Sequence, residues 1–180
     1  MSATIETQRL TLRPWAASDA TGALAIFGAP NVSRWLAPAT ATLDSPTAMR
    51  STLLRWRAEG ELDSGGVGHW AIETRPHRRL VGGVSLQYAP TATESLAIAW
   101  ILEPNSWGNG YATEAGDALI RWAIHERGVL EVFAIVQPDN ARAAATAERI
   151  GMQWVTELGH LPQGPYRVYR IRHGDLAYHD

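Results

Sequence analysis

The stretch from Trp100 to Glu114 constrains the fold more than any other part of the chain, because three kinds of backbone follow one another in it. An apolar, strand-like segment runs into a turn that contains Gly108 and Gly110, and the turn runs into a helix-like segment. Glycines let a backbone curl and approach a ligand closely. The first N–H groups of a helix have no partner inside it, so a phosphate can bind there without a basic side chain. The stretch therefore predicts an anion site at a helix N-terminus, although two glycines at this spacing also fit a simple tight turn.

Two residue types are missing from the chain, and their absence excludes several chemistries. The chain has no cysteine, which excludes disulfides, thiolate nucleophiles and thiolate-ligated zinc. Its 16 basic residues are all arginine, so a P-loop lysine and a lysine Schiff base are impossible. The glycine spacing does not match G-x-G-x-x-G or G-x-x-x-x-G-K either, which argues against Rossmann and P-loop nucleotide sites.

Length and charge set the broad class of protein. The 180 residues suit a single domain, residues 1–180, with room for a sizeable core. A net charge of -2 gives no reason to expect nucleic-acid binding, and no apolar run is long enough to span a bilayer. The N-terminal residues lack the basic start and apolar core of a signal peptide, so we expect a cytoplasmic protein that interacts with neither nucleic acid nor membrane.

Hydrophobic periodicity predicts an α+β protein in which helices pack on a mixed, mostly antiparallel sheet. Three strands in the middle of the chain are joined by short loops and should form an antiparallel meander. The predicted strands are Thr7–Trp15, His69–Thr74, Leu80–Tyr88, Leu96–Leu102, Val129–Val136, Trp154–Glu157 and Arg167–Arg172. The predicted helices run from Ser18 or Asp19 to Phe27, from Pro46 to Glu59, from Ala112 to Arg127, and from Asn140 to Gly151.

Three separated motifs resemble one known family. They are the strand Glu6–Pro14, the loop Trp107–Ala115, and a later helix with Asn140 before it and the sequence ERIGM, Glu148–Met152, at its end. Together they resemble the GNAT acetyltransferases, and within them the RimJ/RimL-like branch, over nearly the whole chain. The resemblance implies the GNAT fold, with about seven strands and four helices, and acetyl-CoA as co-substrate without a metal.

The resemblance also implies a set of cofactor-binding residues. The family loop reads Q/R-x-x-G-x-G/A, and the positions that match it here are Trp107, Gly108, Asn109, Gly110, Tyr111 and Ala112. Trp107 replaces the usual Gln or Arg, and backbone N–H groups from Gly108 to Ala112 would hold the pyrophosphate. Ile101 and Leu102 would pair with the pantetheine arm as an added strand does. Asn140 matches an asparagine that bonds this arm, although its position also fits a plain helix cap.

The chain departs from the family where acid–base chemistry is usually supplied. Three family positions for a Glu, a Ser and a Tyr fall on Ala97, Ala143 and Ala147. The substitutes that we predict to be catalytic are Glu103, Ser106 and Tyr166, and further candidates are Glu94 and His69. Each also has a structural reading: a solvated loop carboxylate for Glu103, a turn residue for Ser106, packing for Tyr166 and a structural role for His69. Glu94 shares parity with Leu96 and Ile98, so it belongs to the face opposite Ala97.

The resemblance implies that an amine attacks the thioester of acetyl-CoA directly, through a tetrahedral intermediate. The acceptor would be either a protein N-terminal α-amine or a small-molecule amine, and a monomer and a homodimer are equally compatible with the sequence. The three alanines keep a different class open: an acyl-CoA-binding or regulatory module with little or no catalysis. A nucleotide-binding fold unrelated to coenzyme A is the least favoured alternative.

Overall fold

One eight-stranded sheet organises the fold. The computed structural model describes residues 3–36, 43–63, 65–89, 92–159 and 165–176. The strands lie in the order β1-β2-β3-β4-β5-β6-β8-β7. They are β1 (Ile5–Glu6), β2 (Leu10–Pro14), β3 (Gly68–Thr74), β4 (Leu80–Ala89), β5 (Ala92–Leu102), β6 (Glu131–Val136), β7 (Gln153–Leu158) and β8 (Tyr166–Arg172). The α-helices are α1 (Ala20–Phe27), α2 (Pro30–Ser33), α3 (Pro46–Leu62), α4 (Tyr111–Arg127), α5 (Ala141–Ile150) and α6 (His173–Leu176).

The predicted fold class is confirmed, with more elements than expected. The sheet is mixed and mostly antiparallel, and the single parallel pair among the described strands is β5 with β6. The eighth strand is β1, which lies before the predicted first strand, Thr7–Trp15. That strand begins only at Leu10, because Thr7 bonds back to Leu10 in a turn between β1 and β2. The extra helices are the four-residue α2 and α6, which are too short to show helical periodicity in the sequence.

The sheet separates two layers of helices. On one face, α4 and α5 bury Leu119, Ile120 and Ile150 in a cluster that also contains Leu96 and Ile98 of β5. On the other face, α1 and α3 form a second cluster, against which Ile101 of β5 packs. Because successive side chains of a strand point to opposite faces, β5 contributes to both layers. Within the described ranges, no helix is long and apolar enough to cross a membrane.

Local sequence explains several helix ends, although α3 runs to Leu62 and not to Glu59 as predicted. Gly128 and Gly151 close α4 and α5 in the left-handed conformation that glycine adopts at low cost. At the start of α5, the Asn140 side chain accepts a hydrogen bond from the Ala143 backbone N–H, and Ser45 does the same for Ala48 at α3. The Asn140 cap fixes where α5 begins, shortly after the carboxyl end of β6.

Candidate active site

A gap between two neighbouring strands creates the site. Within the described residues, β5 and β6 pair only where Leu96 lies opposite Val132 and Ala97 lies opposite Phe133. Beyond these residues β5 continues to pair with β4 as far as Leu102, while β6 pairs with β8. The two strands therefore diverge, and β5 presents a free backbone edge to the opening, as the predicted pairing of Ile101 and Leu102 with an added strand requires.

The glycine turn and the start of α4 lie at the mouth of this gap. Gly108 and Gly110 have φ values of 79° and 77°, which side-chain-bearing residues rarely adopt. Gly110 is the N-cap of α4 and supplies no side-chain cap, so the first N–H groups of the helix are left for another acceptor. The positive end of the helix dipole adds to them. This is the backbone geometry that the predicted anion site requires.

Side chains hold the turn in place from within. The Trp107 indole N–H donates to the Leu102 carbonyl at 3.0 Å, and the Asn109 amide donates to the Ser106 carbonyl at 3.1 Å. Both predicted cofactor residues thus use their side chains to fold the loop. Gly108, Gly110, Tyr111 and Ala112 line the cavity at this point, together with Trp107.

A brace from the N-terminal strands fixes the same loop, and sequence reasoning did not find it. The Arg9 guanidinium donates to Glu114 at 2.6 Å and to the Asn109 carbonyl at 2.9 Å. Thr7 donates to the other oxygen of Glu114 at 2.6 Å. Burial alone would raise the pKa of Glu114, but the hydrogen bonds from Thr7 and Arg9 outweigh it and hold that pKa below its usual value.

The cavity behind the loop has a volume of about 470 Å³, in the range of small-molecule and cofactor sites. Ile101 and Leu102 form its β5 wall, and Asn140 lines it while also capping α5. The predicted cofactor-binding residues, apart from Asn109, are thereby brought together around one space. Asn109 lies on the loop itself and contributes its carbonyl to Arg9.

Two arginines of α5 also line the cavity and were missed. Arg142 and Arg149 both border it, and the Arg142 guanidinium lies 3.7 Å from the centre of the Trp107 ring. Buried Thr146 lines it too, and its hydroxyl donates to the Arg142 carbonyl. The signal was present in the sequence, because basic residues on the helix that follows Asn140 are natural partners for a phosphate-bearing ligand.

The three predicted catalytic residues occupy different places. Ser106 is fully buried, lines the cavity, and donates a 2.7 Å hydrogen bond to Glu103. Glu103 forms an ion pair with Arg79, whose guanidinium also bonds the Ser106 hydroxyl. Tyr166 begins β8, and it is not among the described residues that line the cavity. The structure thus joins Ser106 and Glu103 in one network and leaves Tyr166 apart from it.

Comparisons with known proteins agree with this geometry. A family model described as an acetyltransferase (GNAT) domain matches residues 9–153. The chain belongs to the GNAT acetyltransferase family. YoaA of Bacillus subtilis (strain 168), named an uncharacterized N-acetyltransferase, is 23% identical over 171 residues, which cover 94% of this chain and 89% of YoaA.

Two further proteins are similar to this GNAT chain. YkkB of the same Bacillus strain, named an uncharacterized protein, is 31% identical over 91 residues, but the match covers only 49% of this chain and 52% of YkkB. The structure of Mycobacterium smegmatis RimJ in complex with CoA-disulfide shares the fold with a TM-score of 0.82 at 19% identity, and the match covers 97% of this chain and 89% of that one. The predicted family is thus confirmed, and a RimJ is among the proteins with this GNAT fold.

The alanines that replace the usual GNAT acid–base residues lie on two sides of β5. Ala143 lines the first cavity and Ala147 is fully buried. Ala97 has the same parity as Ala99 and Ile101, so it belongs to the opposite face, under α1 and α3. The side chain of Glu94, another sequence candidate, lies outside the described residues.

A second cavity, of about 300 Å³, occupies that opposite face of the GNAT sheet. Leu36 and Ile101 border both cavities, so the two spaces meet at β5. His69 lies in its floor, stacked on Trp56 with ring centres 4.3 Å apart, and its Nε2 lies 2.8 Å from the Gln87 amide nitrogen. Burial, and next the charge of Arg55, lower the pKa of His69 to about 4.

Proposed function

We propose that residues 1–180 form one acyltransferase domain, which moves an acetyl group from acetyl-CoA to a primary amine. One observation carries this proposal: the uncapped N-terminus of α4, entered through two left-handed glycines, opens onto the gap between β5 and β6. Such a site suits a pyrophosphate, and the free edge of β5 suits the amide-bearing pantetheine arm that follows it. Family membership and a RimJ structure titled as a complex with CoA-disulfide support the choice of coenzyme A.

In the proposed reaction the amine nitrogen attacks the acetyl carbon, and the carbon–sulfur bond then breaks. A backbone N–H near Ile101 or Leu102 would polarise the thioester oxygen as charge develops on it. The nitrogen loses a proton and the departing thiolate gains one, so the reaction needs no further reagent. Much of the acceleration would come from holding two reactants in contact.

Ser106 is the predicted catalytic residue with the best supporting geometry. Its buried hydroxyl borders the cavity, and Glu103, held by Arg79, is its partner for passing a proton. We expect Ser106→Ala to lower kcat by about 100-fold if the hydroxyl handles that proton. Unchanged acetyl-CoA affinity should accompany the loss, because the substitution leaves the backbone N–H groups that are proposed to hold the pyrophosphate in place. Tyr166 stays a prediction from the sequence.

The experiment that tests the function follows free thiol release. The pure protein is incubated with acetyl-CoA and a panel of amines, including peptides with free N-termini and small-molecule amines. We expect thiol release above the rate of spontaneous hydrolysis with at least one acceptor. If acetyl-CoA binds but no acceptor releases thiol, the catalytic proposal is wrong.

That outcome would favour the second candidate, an acyl-CoA-binding or regulatory module. Alanine at positions 97, 143 and 147, where the family usually has acid–base groups, is the observation in its favour. A module of this kind should bind acetyl-CoA as tightly as an enzyme does and release no thiol. Turnover that disappears in Ser106→Ala would exclude it.

A further inference from the structure

The second cavity adjoins the place where the thioester would lie. Leu36 and Ile101 separate it from the cofactor cavity, and its floor is a row of paired residues across three strands. His69 pairs with Ser85, and Ser85 pairs with Ala99. A molecule in this cavity would approach a thioester beside Ile101 from the face of the sheet opposite α4.

The positive charge of Arg55 in the second cavity favours an anionic ligand. Among the described residues that line it, Arg55 is the one with a formal charge at neutral pH, and none carries a carboxylate. Arg55 has an ion-pair contact with Glu59, one turn further along α3, but the separation is 3.8 Å and both side chains are about half exposed or more. Exposed pairs of this kind contribute little, so the guanidinium can turn to an anionic ligand at small cost.

The imidazole of His69 adds a second feature that suits an anion. The Gln87 amide nitrogen donates to Nε2, which leaves the ring proton on Nδ1. Stacking against Trp56 fixes the plane of the ring. The uncharged ring therefore contributes one N–H donor, and Arg55 remains the group that supplies the positive charge. The remaining walls are largely apolar, with Phe27 and Trp15 beside Trp56.

We propose that this cavity binds the acyl acceptor, and that the acceptor is a small primary amine that carries a carboxylate. Arg55 binds the carboxylate, the aromatic wall contacts the body of the molecule, and the amine points past Ile101 toward the thioester. The volume of about 300 Å³ suits a small molecule. In a protein N-terminus the carboxyl group of the first residue is part of a peptide bond and carries no charge. Such an acceptor therefore lacks the carboxylate that this cavity selects.

This inference rests on the proposed acetyl transfer, and its test separates the two. Initial rates of thiol release are compared for free amino acids of increasing apolar size, the carboxamides of the same amino acids, and peptides with a free N-terminus. The carboxamide keeps the amine and removes the negative charge. Its amine is less basic and more often unprotonated, so intrinsic reactivity favours the carboxamide and any preference for the acid reports binding.

Arg55→Met is the test variant and Arg57→Met is its matched control. Arg57 lies on the same helix, has the same one-turn ion pair, with Glu61, and does not line the cavity. We expect the parent and Arg57→Met to prefer the acids, and Arg55→Met to raise KM for the acids by about 10-fold without changing KM for the carboxamides. Thermal melting and acetyl-CoA titration confirm that both variants fold and bind the cofactor.

The outcomes distinguish the two proposals. The acceptor proposal is overturned if carboxamides or peptides are turned over at least as efficiently as the acids and Arg55→Met leaves KM for the acids unchanged. That result leaves the proposed acetyl transfer intact. Absence of thiol release with every acceptor overturns the proposed function and this inference with it.

Discussion

At the scale of single residues, His69 has the most unusual surroundings for a titratable group. It is buried against Trp56 in the floor of the second cavity, and its pKa is lowered to about 4 by burial and by Arg55. An unfolded histidine titrates near 6.5, so the unfolded chain binds more protons than the folded chain between these two values. Protonation of His69 therefore removes stability as the pH falls from about 6.5 toward 4.

This pKa shift predicts a measurable pH dependence of the free energy of unfolding. His69 should account for a loss of about 2 kcal/mol between pH 7 and pH 5, and His69→Gln should remove that part of the decline. Urea denaturation at both pH values measures it. His77→Gln is the control, because His77 is exposed in the turn after β3. An equal decline in the parent and in His69→Gln would contradict the assigned surroundings of His69.

Single residues also show where sequence reasoning stops. Gly128, Gly151 and the Asn140 cap were predictable because each depends on backbone conformation within a few residues. The contact of Arg9 with Glu114 was not, since it joins residues 105 positions apart whose charges alone give no hint of pairing. The joining of Ser106, Glu103 and Arg79 depends in the same way on the register between β4 and β5.

At the scale of elements, the start of α5 combines two possible roles of Asn140, as helix cap and as cofactor ligand. Asn140→Ala should lower the free energy of unfolding by about 1 kcal/mol and also weaken acetyl-CoA binding. Asn140→Ser keeps a capping hydroxyl on a shorter side chain, so it should restore stability without restoring affinity. Ser45→Ala, at the cap of α3 away from the site, should cost stability alone. If Asn140→Ala binds acetyl-CoA as tightly as the parent, Asn140 acts only as a helix cap.

The N-terminus of α4 is braced by the turn between β1 and β2. Glu114→Gln should weaken the contacts with Thr7 and Arg9, cost about 2 kcal/mol of stability, and loosen the loop that Arg9 holds through Asn109. We therefore expect weaker acetyl-CoA binding by titration calorimetry. Glu126→Gln, at an exposed position of the same helix, is the control. An unchanged affinity in Glu114→Gln would show that the loop keeps its shape without the brace.

At the scale of the whole molecule, β5 is where the proposed reactants meet. Its alternating side chains serve the core under α4 on one face and the second cavity on the other, and its edge opens onto the cofactor gap. The meander and the order of strands and helices were predictable from loop lengths and periodicity. The second cavity was not predictable, because it forms only when α3 places Arg55 and Trp56 over the face of the sheet that carries His69 of β3.

The central claim is that the glycine turn before α4 holds the diphosphate of coenzyme A through its backbone. Titration calorimetry of acetyl-CoA with Gly108→Ala and Gly128→Ala tests it most directly. Both glycines have positive φ, 79° and 68°, and at neither would an added Cβ meet another atom within 4 Å, so both variants should lose similar stability, about 1–2 kcal/mol. Gly108 lines the cofactor cavity, whereas Gly128 ends the same helix on the far side.

We predict that Gly108→Ala weakens acetyl-CoA binding by about 10-fold or more, equivalent to about 1.4 kcal/mol, and that Gly128→Ala binds like the parent. Equal affinity in the two variants, while both remain folded, would contradict the account.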